Sequence, residues 1–284
     1  MTCICCESDK SKAIFKWKDE DKNLIQMKRC LGCGLLFQEP MQSDEELSKL
    51  YNEEFFSAYE KHFIDFRKRQ FQRDINKINA LKAPPGNILD VGCAFGLFLV
   101  AARSRGWNVF GVDVSKNAVD HAKKEYELKV FLGTLEQAKF NDGLFDVVTA
   151  WDVIEHVTDP DAFLSEVNRV LKQNGIFALR TPNADSLFLK IVKMVNMTVG
   201  DYFAKVGPRF VHHKYLFTLP SLKALLWKKG FKIVSTHMEM ENLIIVDKPS
   251  AVNHLKAASK RLIKSVEFFH KKRRASIVIY ARKV

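Results

Sequence analysis

Several absences bound this 284-residue chain. No apolar run approaches the ~20 residues that a membrane span needs; Leu187 to Val195 is broken by Lys190 and Lys193. The N-terminus, Met1-Thr2-Cys3-Ile4-Cys5-Cys6-Glu7, has no basic stretch followed by an apolar one and does not read as a secretory signal. No tyrosine is followed four residues later by a lysine, so the catalytic pair of short-chain dehydrogenases is missing. Hydrophobic residues at 47% and charged residues at 27% exclude a disordered or fibrous chain and allow a core that needs no staples. Length suits one large domain plus a small appendage. The expected location is the cytoplasm, where cysteine clusters stay reduced.

An excess of charge of one sign is confined to one end. From Lys248 to Val284 there are 11 Lys or Arg and one acid, Glu267, so this segment holds +10 of the net +12. The rest of the chain is nearly neutral, whereas a nucleic-acid-binding protein spreads its basic residues over a working face. Nucleic acid is therefore an unfavoured partner despite a pI of 9.3.

Five of the six cysteines lie within the first 33 residues. Cys3-x-x-Cys6 and Cys30-x-x-Cys33 form two knuckles whose thiolates can close a tetrahedral Zn²⁺ site. Four protein ligands leave no open position, so such a metal is structural. Gly32 and Gly34 suit the sharp turn of the second knuckle. In the first, Glu7 stands where glycine would be easier, and Cys5 can compete with Cys3 or Cys6. The competing readings are unpaired thiols and a redox pair. Residues 1–42 are thus expected to form a small zinc-ribbon-like lobe and 43–83 a helical connector. Ser43-Asp44-Glu45-Glu46 reads as a capping box, and Phe55, Tyr59, Phe63 and Phe66 recur at helical spacing. That helix either packs on the main domain or brings Tyr59 over a substrate pocket.

From Asn87 strands alternate with helices, the pattern of a mostly parallel sheet covered on both faces. Ile88-Leu89-Asp90-Val91 reads as a buried strand running into Gly92-Cys93-Ala94-Phe95-Gly96 and a helix from Leu97. Small residues there let a ligand approach the backbone, and the helix N-terminus adds a positive end. Asp90 precedes the turn, where it can hold a cationic amino-acid tail. The next strand, Trp107 to Val112, ends in Asp113 with Ser115 as helix cap. A carboxylate at that strand end can accept two hydrogen bonds from ribose hydroxyls.

These segments, with Gly133-Thr134-Leu135-Glu136, Phe145-Asp146-Val147-Val148, Asp152-Val153-Ile154-Glu155-His156, Asp159-Pro160 and Thr181-Pro182-Asn183, resemble class I S-adenosylmethionine methyltransferases in order and spacing. With the cysteine lobe, the chain resembles the branch carrying an N-terminal zinc-binding domain, which includes sugar C-methyltransferases. The resemblance implies an α/β fold with a Rossmann-like seven-stranded sheet, mostly parallel with the last strand antiparallel, over residues 84–284. It implies that Asp90, Gly92 and Gly96 hold the methionine moiety, with Ala94 where glycine is commoner. Asp113 then binds ribose, Leu135 and Glu136 lie near adenine, and Trp151 and Asp152 end a strand beside the cofactor.

Methyl transfer to an alcohol or an acidified carbon needs a base, and histidine suits that role near neutral pH. His156 follows a strand at the carboxyl edge, where ligands sit in open α/β sheets. His213, in Phe210-Val211-His212-His213-Lys214-Tyr215-Leu216-Phe217-Thr218, resembles the family's Glu-His stretch, with His212 at the glutamate position. Packing or capping is the competing role for each. Tyr215 joins Tyr59 as a candidate substrate contact.

After Ala150-Trp151 there is no Asn/Asp-Pro-Pro-aromatic tetrapeptide, and no Pro-Cys pair exists, so the resemblance does not extend to nucleobase methyltransferases. The acceptor expected is a small molecule such as a sugar, glycan precursor or secondary metabolite. Alternatives are a membrane-associated lipid or quinone methyltransferase and a non-catalytic S-adenosylmethionine-binding module. Two insertions bear on this choice. Residues 184–212 carry apolar residues suited to a lid. Residues 250–274 form a basic amphipathic pattern that either packs on the sheet or meets an anionic membrane through 251–274. Oligomeric state stays open.

Overall fold

A computed structural model describes residues 2–18, 23–41, 53–186, 213–239 and 276–284, with side chains in the connector described from Ile64 onward. Nearly all of the expected lid, the basic insertion, and the capping box at Ser43 lie outside the described residues.

Two sheets organise the molecule. The larger is built from β4 (Asn87–Val91), β5 (Asn108–Asp113), β6 (Val130–Leu132), β7 (Phe145–Trp151), β8 (Leu171–Pro182), β10 (Phe231–Glu239) and β11 (Ser276–Lys283). Its order is β10-β11-β8-β7-β4-β5-β6, parallel except that β11 runs antiparallel to both neighbours. This is the seven-stranded, mostly parallel sheet expected. Every residue of β7 is buried, as a central strand covered on both faces requires. From β4 the chain moves to β5 and β6 on one side and later returns to β7 on the other. The carboxyl ends of β4, β5 and β7 therefore flank the switch point where open α/β sheets bind ligands.

Helices α2 (Leu97–Arg103), α3 (Lys116–Tyr126) and α4 (Pro160–Val170) connect these strands, and α5 (Leu219–Lys228) leads into β10. Their starts follow local chemistry. Ser115 caps α3 by accepting from the Ala118 N–H, and Asp159 caps α4 by accepting from those of Asp161 and Ala162, ahead of Pro160. Thr218 and Ser221 form a reciprocal capping box on α5.

The connector is α1 (Glu53–Leu81), a helix of 29 residues. Phe71, Ile75 and Ile78, at helical spacing, join Leu97, Phe98 and Ala102 of α2 in one apolar cluster. A neighbouring row, Arg67, Gln70 and Asp74, faces the sheet with its polar ends. Arg180 of β8 is only 1% exposed and meets Asp152 at 3.2 Å, Asp74 at 3.3 Å and Glu239 at 3.7 Å. The Tyr280 hydroxyl donates to Asp74, and the Gln70 amide donates to Glu239 at 2.6 Å.

The smaller sheet has the order β1 (Ser11–Lys18), β2 (Leu24–Cys30), β3 (Leu36–Glu39), β9 (Tyr215–Leu216). Three strands come from the cysteine lobe and the fourth from a segment about 180 residues later, with Phe37 opposite Tyr215 and Leu36 opposite Leu216.

Replacing Arg180 by methionine should leave Asp152, Asp74 and Glu239 without their common cation. We predict a loss of ~3–5 kcal/mol in urea unfolding, the cost of breaking a buried ion pair from one side. A loss below ~1 kcal/mol, the surface-pair range, would refute this role.

Candidate active site and cysteine cluster

The turn after β4 is held in a left-handed conformation by three residues, Gly92 (φ 67°), Ala94 (φ 46°) and Gly96 (φ 78°). A Cβ on Gly92 would come within 2.5 Å of Val153, and one on Gly96 within 2.3 Å of Leu128, so both positions need glycine for space as well as conformation. Ala94 tolerates a region that costs an L-residue roughly 1–2 kcal/mol. Its N–H donates to Asp113 Oδ2 at 2.8 Å, and the Ser115 N–H donates to Oδ1 at 2.8 Å. The carboxylate at the end of β5 is thus oriented by backbone donors from both flanking turns. Burial pushes its pKa up, against those two hydrogen bonds.

Asp90 is 2% exposed and accepts a 2.6 Å hydrogen bond from the Thr149 hydroxyl. Burial pushes its carboxyl up to about 8, opposed by that hydrogen bond and reinforced by the Asp113 charge. Leu135 is buried in the core behind β6, and Glu136 beside it is exposed.

At the end of β7, Trp151 packs edge-on to Phe98 and lies 5.1 Å beneath the Arg180 guanidinium. Asp152 has φ 60°, an uncommon conformation for a residue with a side chain. Its carboxylate receives Arg67 at 2.8 Å and Arg180 at 3.2 Å. Burial works against its charge, but Arg180 and Arg67 hold its pKa down at about 2. Trp151 Nε1 and Arg180 Nη2, both buried, have no hydrogen-bond partner among the described residues.

His156 and His213 come together from distant parts of the chain, with ring centroids 4.8 Å apart in an edge-to-face arrangement. Glu155, fully buried and accepting from the Thr181 hydroxyl at 2.9 Å, joins them: one ligand atom of each residue lies within 4.8 Å of the others. A carboxylate beside two imidazoles can move a proton, and the same donors suit a divalent cation. Tyr215 is buried, and its hydroxyl donates to the Thr158 carbonyl at 3.2 Å. Burial pushes its phenol up to about 12, the Asp159 charge adding to it. Tyr59 lies on α1 in the stretch whose side chains are outside the description.

Sequence reasoning passed over Arg67, Arg180 and Glu155. Glu155 adjoins His156 in a quoted motif and was legible as a polar residue next to a candidate base. Arg180, set in an apolar strand pattern, gives no local sign of what it pairs with.

The four cysteines of the lobe converge. Sγ atoms of Cys3 and Cys33, and of Cys6 and Cys30, are each 3.5 Å apart, and all four lie within 4.8 Å of one another. Tetrahedral zinc with Zn–S bonds of ~2.3 Å needs edges of ~3.8 Å. The two knuckles are built alike: the Glu7 N–H donates to the Cys3 carbonyl at 2.8 Å, and the Gly34 N–H donates to that of Cys30 at 3.1 Å. Glu7 (φ 59°) and Gly34 (φ 79°) take the same left-handed turn. A Cβ on Gly32 would sit 3.0 Å from Cys6 Sγ, so the backbone passes directly beneath the sulfurs. Desolvation opposes ionisation of Cys30, but the Cys33 and Gly32 N–H groups hold its thiol down at about 7, favouring the thiolate that a cation requires. Cys5 stands outside this set, buried, with desolvation pushing its thiol up.

Comparison with known proteins matches residues 63–236 to the family model described as a methyltransferase domain. Among curated relatives, the ubiquinone biosynthesis O-methyltransferase of Rickettsia typhi is 32% identical over 139 residues, covering 47% of this chain and 54% of the relative. The protein of the same name from Pelagibacter ubique is 35% identical over 155 residues, covering 52% and 59%. The chain thus spans between half and two thirds of these relatives' lengths. Among solved structures, a SAM-dependent methyltransferase from Archaeoglobus fulgidus aligns with TM-score 0.54 and 19% identity, covering 81% of this chain and 99% of that one. That likeness concerns the fold alone.

The raised pKa of Asp90 makes a testable statement about stability. Its folded-state pKa exceeds the unfolded value of ~3.9, so the native state is penalised as pH rises from about 4 through about 8. Asp90→Asn keeps an acceptor for Thr149 and removes the charge. Its stability advantage over the parent should widen between pH 5 and 8 and level off above that. A pH-independent difference in melting temperature would contradict the assignment.

Proposed function

Because this chain belongs to the methyltransferase-domain family, we propose that it is an S-adenosylmethionine-dependent enzyme that methylates an oxygen or carbon atom of a small molecule. The observation that carries this reading is Asp113, its carboxylate held by the Ala94 and Ser115 N–H groups at the end of β5. Two backbone donors orient its oxygens at the switch point, where vicinal ribose hydroxyls can donate to them. Asp90 would face the cationic tail of the cofactor beside Gly92 and Gly96, where an added Cβ would meet Val153 and Leu128. The cofactor, when bound, supplies a methyl group already activated on sulfur.

The protein's own part is alignment and proton removal. Alignment of reactants can contribute roughly 7–11 kcal/mol. His213 and His156 would take the acceptor's proton, His213 as base and His156 as its partner, with the Glu155 carboxylate favouring the imidazolium that results. The relatives' name favours O-methylation in quinone biosynthesis over C-methylation of a sugar, and His212 at the glutamate position points the same way. Cys3, Cys6, Cys30 and Cys33 would hold one structural Zn²⁺; metal analysis of the purified chain that returned no zinc would remove that part.

Two measurements test the enzyme reading. Asp113→Ala should weaken S-adenosylmethionine binding ~10²–10⁴-fold in calorimetry, the worth of two hydrogen bonds to a charged group at ~1.5–3 kcal/mol each. His213→Ala should leave that affinity intact and lower S-adenosylhomocysteine release ~10²–10⁴-fold in a panel of phenol and sugar acceptors. Undiminished cofactor binding in the first variant, or full turnover in the second, would overturn the corresponding assignment.

No helix among the described residues is long and apolar enough to cross a membrane. Residues 251–274 hold eight Lys or Arg against one acid, and each near an anionic surface is worth ~1 kcal/mol. We therefore expect co-sedimentation with phosphatidylserine vesicles that is lost when 251–274 are removed. Equal recovery of both forms in the pellet would rule out this contact.

A further inference from the structure

The cysteine lobe and the His213 segment are built as one piece. The second knuckle runs directly into β3, the Cys30 N–H donating to the Leu35 carbonyl at 2.8 Å. β3 then pairs with β9, and the Gln38 N–H donates to the carbonyl of Lys214, the residue after His213, at 3.0 Å. The Thr218 hydroxyl donates to the carbonyl of Cys33 at 2.8 Å. On its other side the same segment is tied to the main sheet's edge. The Tyr215 N–H donates to the Glu155 carbonyl at 3.1 Å, Lys214 Nζ donates to the Thr158 hydroxyl at 2.6 Å, and Phe217 bridges to Asn183.

A strand of two residues has no stability of its own, so β9 depends on the partners that flank it, β3 on one side and the main sheet's edge on the other. β3 belongs to a lobe of some forty residues, a size at which folding usually needs a metal or another staple. In such lobes metal binding and folding are the same free energy.

We propose that the cysteine lobe positions His213 against His156 through the β3–β9 pairing and the Thr218–Cys33 hydrogen bond, so that loss of its metal misaligns the histidine pair. The proposal rests on the reading of the pair as the proton-transfer centre. Thr218 is a positioning residue here, and so is each cysteine. The lobe contributes no group to the reaction. It sets the distance at which the imidazoles meet, and misplacement by about 1 Å is enough to cost ~10²-fold in rate.

The test reads the imidazoles directly, in the full-length protein, by NMR of the His213 and His156 ring protons assigned with a His213→Gln variant. Cys6→Ser removes a sulfur from the cluster in the first knuckle, outside β3 and β9. Thr218→Val removes the hydroxyl bonded to Cys33 and, with it, half of the cap on α5; Ser221→Ala, which loosens the cap and keeps the bond to Cys33, is the control and should leave the His213 resonances in place. Cys6→Ser and Thr218→Val should both displace the His213 resonances, and Cys6→Ser should also lose bound zinc. Thr218→Ser should restore the resonances, and S-adenosylmethionine affinity in calorimetry should stay at the parent value throughout. If Cys6→Ser or Thr218→Val leaves His213 at its original position, or if cofactor affinity falls in step with the shift as it would on general unfolding, the proposal fails. Because no turnover is measured, a failure here is separate from a failure of His213→Ala to abolish methyl transfer.

Discussion

A guanidinium buried to 1% exposure is expensive to keep, and Arg180 is kept by three carboxylates that come from three different elements. Asp74 arrives on α1, Asp152 from the end of β7 and Glu239 from the end of β10. None of these acids would be tolerated at such depth alone; burial pushes the Asp74 carboxyl up to about 6 even with Arg180 beside it. The network therefore constrains where the connector helix lies, how β10 and β11 close the sheet, and the left-handed turn at Asp152. That turn carries the chain into Glu155 and His156. The candidate site is thus shaped from beneath by charge pairing and from above by the lobe.

The two carboxylates near the glycine turn behave differently. Asp113 is satisfied by two backbone N–H groups and stays partly accessible, while Asp90 is almost sealed and, among the described residues, is partnered by the Thr149 hydroxyl. Burial resists the ionisation of Asp90, so a positive charge placed beside it would favour release of its proton.

Local chemistry was legible in the sequence where it was self-contained. The strand–turn–helix around Gly92, the Ser115 cap and the acid ending β5 all follow from short-range patterns, and the sheet order agrees with the resemblance. The four converging cysteines were legible from their paired spacing, and Glu7 was visible as the awkward residue of its knuckle. What was hidden depends on pairing at a distance. β9 is two residues long, in a stretch rich in histidine and aromatics, and its partner lies about 180 residues upstream; no periodicity can announce that. Arg180 looks like a polar break in a buried strand until Asp74, Asp152 and Glu239 surround it. Ala94 read as a small stand-in for glycine, whereas its backbone takes the left-handed turn and its N–H serves Asp113.

The β3–β9 junction also bears on solubility. Sheet edges present rows of bare amide and carbonyl groups that invite pairing with other chains, and proteins usually blunt them. Here β3 lies along β9 while Glu155 and Asn183 occupy its opposite flank. Tyr215, Leu216 and Phe217, all buried, are thereby kept from serving as a sticky template. The lobe acts as an edge guard for its neighbour, which gives it a reason to persist on this scaffold whatever acceptor the scaffold serves.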